Sequence, residues 1–122
     1  SEVDDMYGHY RDKRSCYYVI TSGDRVVGCG GLGRLEGDNK FICELQKMFF
    51  LPEARGIGLG QRLLLLLLDD ARTREYKKCY LETLDRMYQA NELYQKNGFE
   101  LLGKPMGTTG HDSCDRWYLL HL

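Results

Sequence analysis

The period of apolar and polar positions changes along this chain. From Cys16 to Ile20 the run Cys-Tyr-Tyr-Val-Ile is aromatic and β-branched, which is strand composition. Arg25-Val26-Val27-Gly28 mirrors it across the turn Ser22-Gly23-Asp24 and predicts an antiparallel partner that can continue to Leu35. The turn residues Glu36-Gly37-Asp38-Asn39 end that strand, and a long strand is predicted from Phe41 to Leu51. Residues 5–14, ahead of the first strand, read as the last turns of a helix or as a polar lead-in.

Beyond residue 59 the pattern becomes helical. Gly60 to Tyr76 holds helix formers throughout and ends in a charged last turn. Cys79 to Thr83 reads as a short strand, and Tyr88 to Asn97 as an amphipathic helix stopped by Gly98 at the position after its C-cap. Leu101 to Lys104 and Trp117 to Leu122 predict closing strands. Strands first, then helix, strand, helix and strands again predict an α/β (α+β) domain with mixed strand directions. No repeat or linker interrupts it, so residues 1–122 are expected to form one domain.

Composition narrows the function classes. A chain of 122 residues can bury about two-thirds of its unfolded surface and so needs no staples. Lysine plus arginine total 17 against 18 acidic residues, a net charge of -1, which argues against a nucleic-acid binder. The longest apolar run, Leu63 to Leu68, is flanked by Arg62 and Asp69-Asp70 and is too short to span a bilayer. The five cysteines, at 16, 29, 43, 79 and 114, are odd in number and lack C-x-x-C spacing. They read as reduced thiols in a cytoplasmic compartment, not as a disulfide framework or a metal site. His111-Asp112-x-Cys114 lacks a second ligand pair and reads as a loop, so no metal is expected.

Two glycine motifs fail on context. Gly28-Cys29-Gly30-Gly31-Leu32-Gly33 fits G-x-G-x-x-G, but the turn at Gly37 leaves no room for the helix a dinucleotide site requires. Gly98 to Lys104 fits G-x-x-x-x-G-K, but Pro105 follows, with no hydroxyl for magnesium, and the stretch between the glycines is apolar. The survivor is Arg55-Gly56-Ile57-Gly58-Leu59-Gly60, between the long strand and the leucine-rich helix. Glycines there let backbone amides converge on an anion at a helix N-terminus.

With that turn in view, Glu44 to Gly60 resembles the acetyl-CoA signature of the GNAT superfamily of N-acetyltransferases: a strand ending in an x-P turn, then an arginine-glycine turn at a helix N-terminus. Ala90 with Leu93-Tyr94-Gln95-Lys96-Asn97-Gly98-Phe99 is similar to the second signature of that family, A-x-x-L-Y-x-x-x-G-F. The resemblance covers residues 41–99 most clearly. It implies a mainly antiparallel mixed sheet flanked by helices, with the family's N-terminal strand and first helix apparently missing. It also implies direct transfer of acetyl from acetyl-CoA to a primary amine of a small molecule or protein, in a ternary complex. By that resemblance Arg55, Gly56, Ile57, Gly58, Leu59 and Gly60 cradle the pyrophosphate, and Phe49, Phe50 and Leu51 line the pantetheine arm, which pairs with the strand.

The chemistry sets the remaining roles. An ammonium with a reference pKa near 10.4 must lose a proton, the oxyanion needs donors, and the thiolate leaves better if protonated. The resemblance makes Tyr94 the general acid, also in contact with the cofactor, and Glu44 the general base, directly or through water. Leu45 and Lys47 alternate against Glu44 and Gln46, but from Met48 to Leu51 both faces turn apolar. That fits a bulge, which the family has where two strands splay, and equally a buried strand end. Cys29 and Cys43 read as inert buried thiols rather than nucleophiles. Tyr17, Tyr18, Tyr76, Tyr80 and Tyr88 read as packing.

Two departures stand out. Met87 occupies a position where many family members have asparagine, and little chain precedes Cys16 to shape an acceptor site. A non-catalytic acyl-CoA-binding module is therefore the alternative to an enzyme, and an open sheet edge would favour a homodimer.

Overall fold

The structure, a computed structural model, describes residues 14–37, 40–107 and 113–122 in full and residues 5–12 through their backbone. Among the described residues one seven-stranded sheet runs in the order β1-β2-β3-β4-β5-β7-β6. The strands are β1 (Asp5–Asp12), β2 (Ser15–Ser22), β3 (Arg25–Arg34), β4 (Ile42–Phe50), β5 (Lys78–Thr83), β6 (Glu100–Leu102) and β7 (Arg116–His121). Helix α1 (Leu59–Thr73) joins β4 to β5, and α2 (Tyr88–Lys96) joins β5 to β6. Among the described residues only β4 and β5 pair in parallel, as a helical crossover between neighbouring strands requires.

The front of the chain departs from expectation. Residues 5–12 form a strand antiparallel to β2, not the end of a helix, so a strand does precede the Cys16 segment. Polar residues with tyrosine at 7 and 10 carry no decisive period. The backbone of β2 offered an edge to pair with, and that hairpin pairing, with Asp12 opposite Ser15, settled the conformation.

Strand parity assigns side chains to two faces. On one face Cys16, Ile20, Leu32, Cys43, Leu45, Cys79, Leu81 and Tyr118 are buried under the helices. On the other, Leu35, Ile42 and Tyr80 form a smaller cluster with Leu102, Met106, Trp117 and Leu119. Helix α1 buries Leu59, Leu63, Leu64, Leu67, Leu68 and Ala71, spaced at three and four residues to make one stripe, while Leu65 and Leu66 are exposed. Burying each such leucine contributes roughly 1.5–3 kcal/mol, so α1 anchors the sheet.

That close packing explains the glycine run that mimics a dinucleotide motif. All of it lies inside β3 or its pairing. A Cβ on Gly30 would stand 2.4 Å from the Met48 sulfur and 2.9 Å from Leu63. The glycine is there because the helix comes so near. At the far end of α1, Asp70 accepts from the Tyr18 hydroxyl and from the Cys16 thiol, the latter at 3.6 Å. Burial pushes the Cys16 thiol up to about 11.

Candidate functional site

Strand β4 holds the site because it changes phase midway. Cys29 pairs with Phe49 but Gly31 with Gln46, so β4 carries one residue more than β3 across that interval, which is a bulge. Lys47 takes the extra place, at φ 57, a left-handed conformation unusual outside glycine. The insertion reverses parity. Cys43 and Leu45 face the helices before it, whereas Met48 and Phe50 pack on the helix-side core after it. The loss of alternation after Gln46 is thus a bulge, not a doubly buried strand end.

The same region opens the sheet. Parallel pairing of β4 with β5 covers only Ile42 with Lys78, Cys43 with Cys79 and Glu44 with Tyr80. Beyond Glu44, β4 continues to Phe50 paired with β3 alone, so among the described residues no strand covers its other edge. That edge is open to an extended ligand, with the Lys47 and Phe50 carbonyls already accepting from Cys29 Sγ and Arg55 Nε.

At the head of that opening, Pro52 starts a short 3-10 turn, Pro52–Ala54. Arg55 Nε donates to the Phe50 carbonyl at 3.0 Å, fixing the guanidinium beside the strand end. Gly56 and Gly58 take φ 77 and 79, which glycine adopts without strain. Gly58 caps α1 with no side-chain bond, and the first helical bond runs from the Arg62 amide to Gly58. The amides of Gly58, Leu59, Gly60 and Gln61 therefore have no intrahelical acceptor and suit an anion. Ile57 is exposed at this turn, and Phe49 is exposed on β4, while Phe50 and Leu51 are half-buried.

Tyr94 lies on the helix face, 5% exposed, its ring against Phe99 and Tyr118. Burial chiefly, with Cys79 and Tyr118 adding, pushes its phenol up to about 12, so it holds its proton across neutral pH. A reciprocal amide pair ties its helix to the anion turn: Gln61 donates to Asn97 at 2.9 Å and Asn97 to Gln61 at 2.8 Å. Asn91 secures the other end of α2, donating to the Leu84 and Met87 carbonyls and accepting from the Tyr118 hydroxyl at 2.7 Å. Met87 itself is exposed.

Glu44 lies on the opposite face. It is 3% exposed, accepts from Gln46 Nε2 at 3.0 Å, and lines a cleft of about 1150 Å³ with Tyr17, Gly31, Gln46, Glu82 and Cys114. The candidate acid and base are thus on different sides of the sheet, Tyr94 in the helix-side core and Glu44 in the cleft. Reading the sequence alone missed Glu82, two residues beyond Tyr80 on the cleft face of β5. Period two along Cys79–Thr83 puts those residues together, but the parallel pairing that sets them beside Glu44 is non-local. Burial pushes up the thiols of Cys29 and Cys114, and Cys79 rises through its bond with Cys43 and through burial. That keeps them protonated and unsuited to nucleophilic attack. Among the described residues no His, Cys, Asp and Glu cluster suits a metal, and no helix is long and apolar enough to cross a membrane. His111 and Asp112 lie outside the described residues.

Comparisons with known proteins identify the family and the fold. A family model, the acetyltransferase (GNAT) domain, matches residues 13–101. An uncharacterised N-acetyltransferase of Escherichia coli K12, YjgM, is 42% identical over 113 residues, covering 93% of this chain and 68% of that protein. An IAA acetyltransferase of Azospirillum brasilense is 37% identical over 79% of this chain, which spans 61% of that relative's length. In structure, a GNAT family acetyltransferase of Elizabethkingia anophelis with acetyl-CoA bound superposes with a TM-score of 0.71 over 97% of each chain, at 16% identity, a likeness of fold. The chain belongs to the GNAT acetyltransferase family and carries its N-acetyltransferase domain.

Proposed function

We propose that this member of the family moves an acetyl group from acetyl-CoA directly to a primary amine, through a ternary complex. The observation that carries the proposal is the parting of β4 from β5 after Glu44, with an uncapped helix N-terminus at its head and carboxylates on the far face. Cofactor and acceptor can then approach one carbon from opposite sides of the sheet.

In this reading the amides from Gly56 to Gly60 hold the pyrophosphate beside Arg55, and the pantetheine arm runs along Phe49, Phe50 and Leu51. Glu44 takes the ammonium proton, directly or through water. The freed amine attacks the thioester carbon, and a backbone amide of the splayed strand steadies the oxyanion. As the intermediate collapses the nitrogen gives up its second proton, which the expelled CoA thiolate takes up. Tyr94 donates to the departing sulfur; a phenol near 12, against a free thiol near 8.5, acts there more by hydrogen bonding than by outright proton loss. The acceptor is held as a cation before it reacts, which suits a cleft floored by Glu44 and Glu82. Five unpaired thiols fit a reducing cytoplasm, and the backbone edge of β1 offers a route to a homodimer.

The test is thermal unfolding with acetyl-CoA, using NAD and ATP as controls. Saturation at a hundredfold over Kd adds about 2.7 kcal/mol. Mass detection of acetylated product follows, over a panel of alkylamines, arylalkylamines and peptides with free α-amines. No shift with acetyl-CoA in a folded sample overturns the cradle. A shift without turnover on any amine leaves a binding module.

A further inference from the structure

Tyr80 reads from sequence as a packing residue, and it does pack: it is 0% exposed in the cleft-side cluster with Leu35 and Ile42. A phenol in such a place needs partners for its oxygen. It has two. The hydroxyl donates to Glu82 Oε2 at 2.6 Å and accepts the Met106 amide at 3.0 Å. With the acceptor side of the oxygen engaged by an N–H, its single proton is directed at the carboxylate. Burial, with the Glu82 bond adding, pushes the phenol well above its ordinary value, so it remains a donor.

The Met106 side is itself anchored, and the Glu82 side faces the cleft. Glu82 and Tyr80 lie two apart on one face of β5, and Glu82 lines the cleft that contains Glu44. Next to Met106, Gly107 sits at φ 64 so close to the end of β3 that a Cβ would stand 2.4 Å from the Glu36 carbonyl. The segment that supplies the amide is thus wedged against the sheet. A carboxylate side chain with three rotatable bonds is thereby held in one orientation by a rigid donor.

We infer that Tyr80 is a positioning residue for the transfer: by binding Glu82 and the Met106 amide together, it fixes the second carboxylate of the acceptor cleft against the incoming ammonium. The inference rests on the acetyltransferase reading. A merely structural Tyr80 would affect folding and every kinetic constant alike; a positioning Tyr80 acts through Glu82 alone.

The experiment is a double-mutant cycle with Tyr80→Phe and Glu82→Gln, measured as kcat and KM with acetyl-CoA and the panel amine turned over fastest. Tyr80→Phe alone is expected to lower kcat about tenfold, the loss of one charge-assisted hydrogen bond, with KM for acetyl-CoA unchanged. In the Glu82→Gln background the same change is expected to cost nothing further. An unchanged kcat, or equal losses in both backgrounds, overturns the inference and leaves the acetyltransferase reading intact. If Tyr80→Phe fails to fold, Glu82→Asp draws the carboxylate back from the hydroxyl and keeps its charge. The same kcat loss at constant acetyl-CoA KM is then expected, and an undiminished kcat overturns the inference. Absence of turnover by the unaltered protein on every amine overturns both readings.

Discussion

The two faces of the sheet are built on different principles. The helix face is a continuous apolar core, with α1 leucines over β2–β5 and Tyr94 inside it. The cleft face has a three-residue buried cluster and otherwise depends on hydrogen bonds: Gln46 to Glu44, Tyr80 to Glu82, Met106 to Tyr80. Packing is tolerant of detail but strong in sum, whereas hydrogen bonds set orientation at small net energy. Stability should therefore reside on one face and acceptor chemistry on the other.

Substitutions can break that division or sharpen it. The largest expected effect is on the cleft: Glu44→Gln keeps the shape and the Gln46 contact, and should lower kcat about 10²–10⁴-fold, the range for a general base. Its denaturation midpoint and acetyl-CoA shift should stay near those of the parent, and a large loss of stability would contradict the division. Next, Leu64→Ala, fully buried in α1, should cost about 2–5 kcal/mol in urea unfolding while kcat of the folded fraction holds. A smaller effect joins the faces: Gly58→Ala, at φ 79 with open space around its Cβ, should cost about 1–2 kcal/mol of backbone strain. It should also weaken acetyl-CoA binding, read as a reduced thermal shift.

The smallest effect is on pH. The folded state holds the Cys16 proton up to about 11 and the Tyr94 proton up to about 12, against ordinary values of 9.0 and 10.0. Above those ordinary values the unfolded chain releases protons that the native one retains, so stability falls as pH rises. Unfolding midpoints should decline as pH rises from about 9 toward 12, and Cys16→Ala should make that decline shallower without moving its onset, because Cys79 is held protonated in the same way. Because both groups belong to the helix face, activity loss in that range should track unfolding.

What the sequence discloses follows from range. The turn Arg55–Gly60 is local: its glycines lie within a few residues, so pattern alone marks it as a candidate anion turn, whereas the role of Tyr94 came through the resemblance even though the Leu93–Phe99 segment is equally local. Glu44 was legible only through resemblance, since nothing local separates it from a solvated strand glutamate. Glu82 and the true setting of Tyr80 depend on a parallel pairing between strands more than thirty residues apart, which no local period encodes. The first strand was hidden for a different reason: its hairpin partner is adjacent in sequence, but its own residues carry no decisive period. The bulge was visible only as lost alternation, and Lys47 as its pivot required the register with β3.

That pivot makes β4 behave like a message with a frame. Every residue before position 47 is assigned to a face by one parity and every residue after it by the other. Deleting Lys47 itself would erase the bulge and leave plain alternation, with Met48, Phe49 and Phe50 on their present faces; gaining or losing one residue elsewhere in β4, with the bulge kept, would swap the destinations of everything beyond it. In a collection of related genes, length variation within this strand should therefore be confined to the bulge, while it accumulates in the turns on either side.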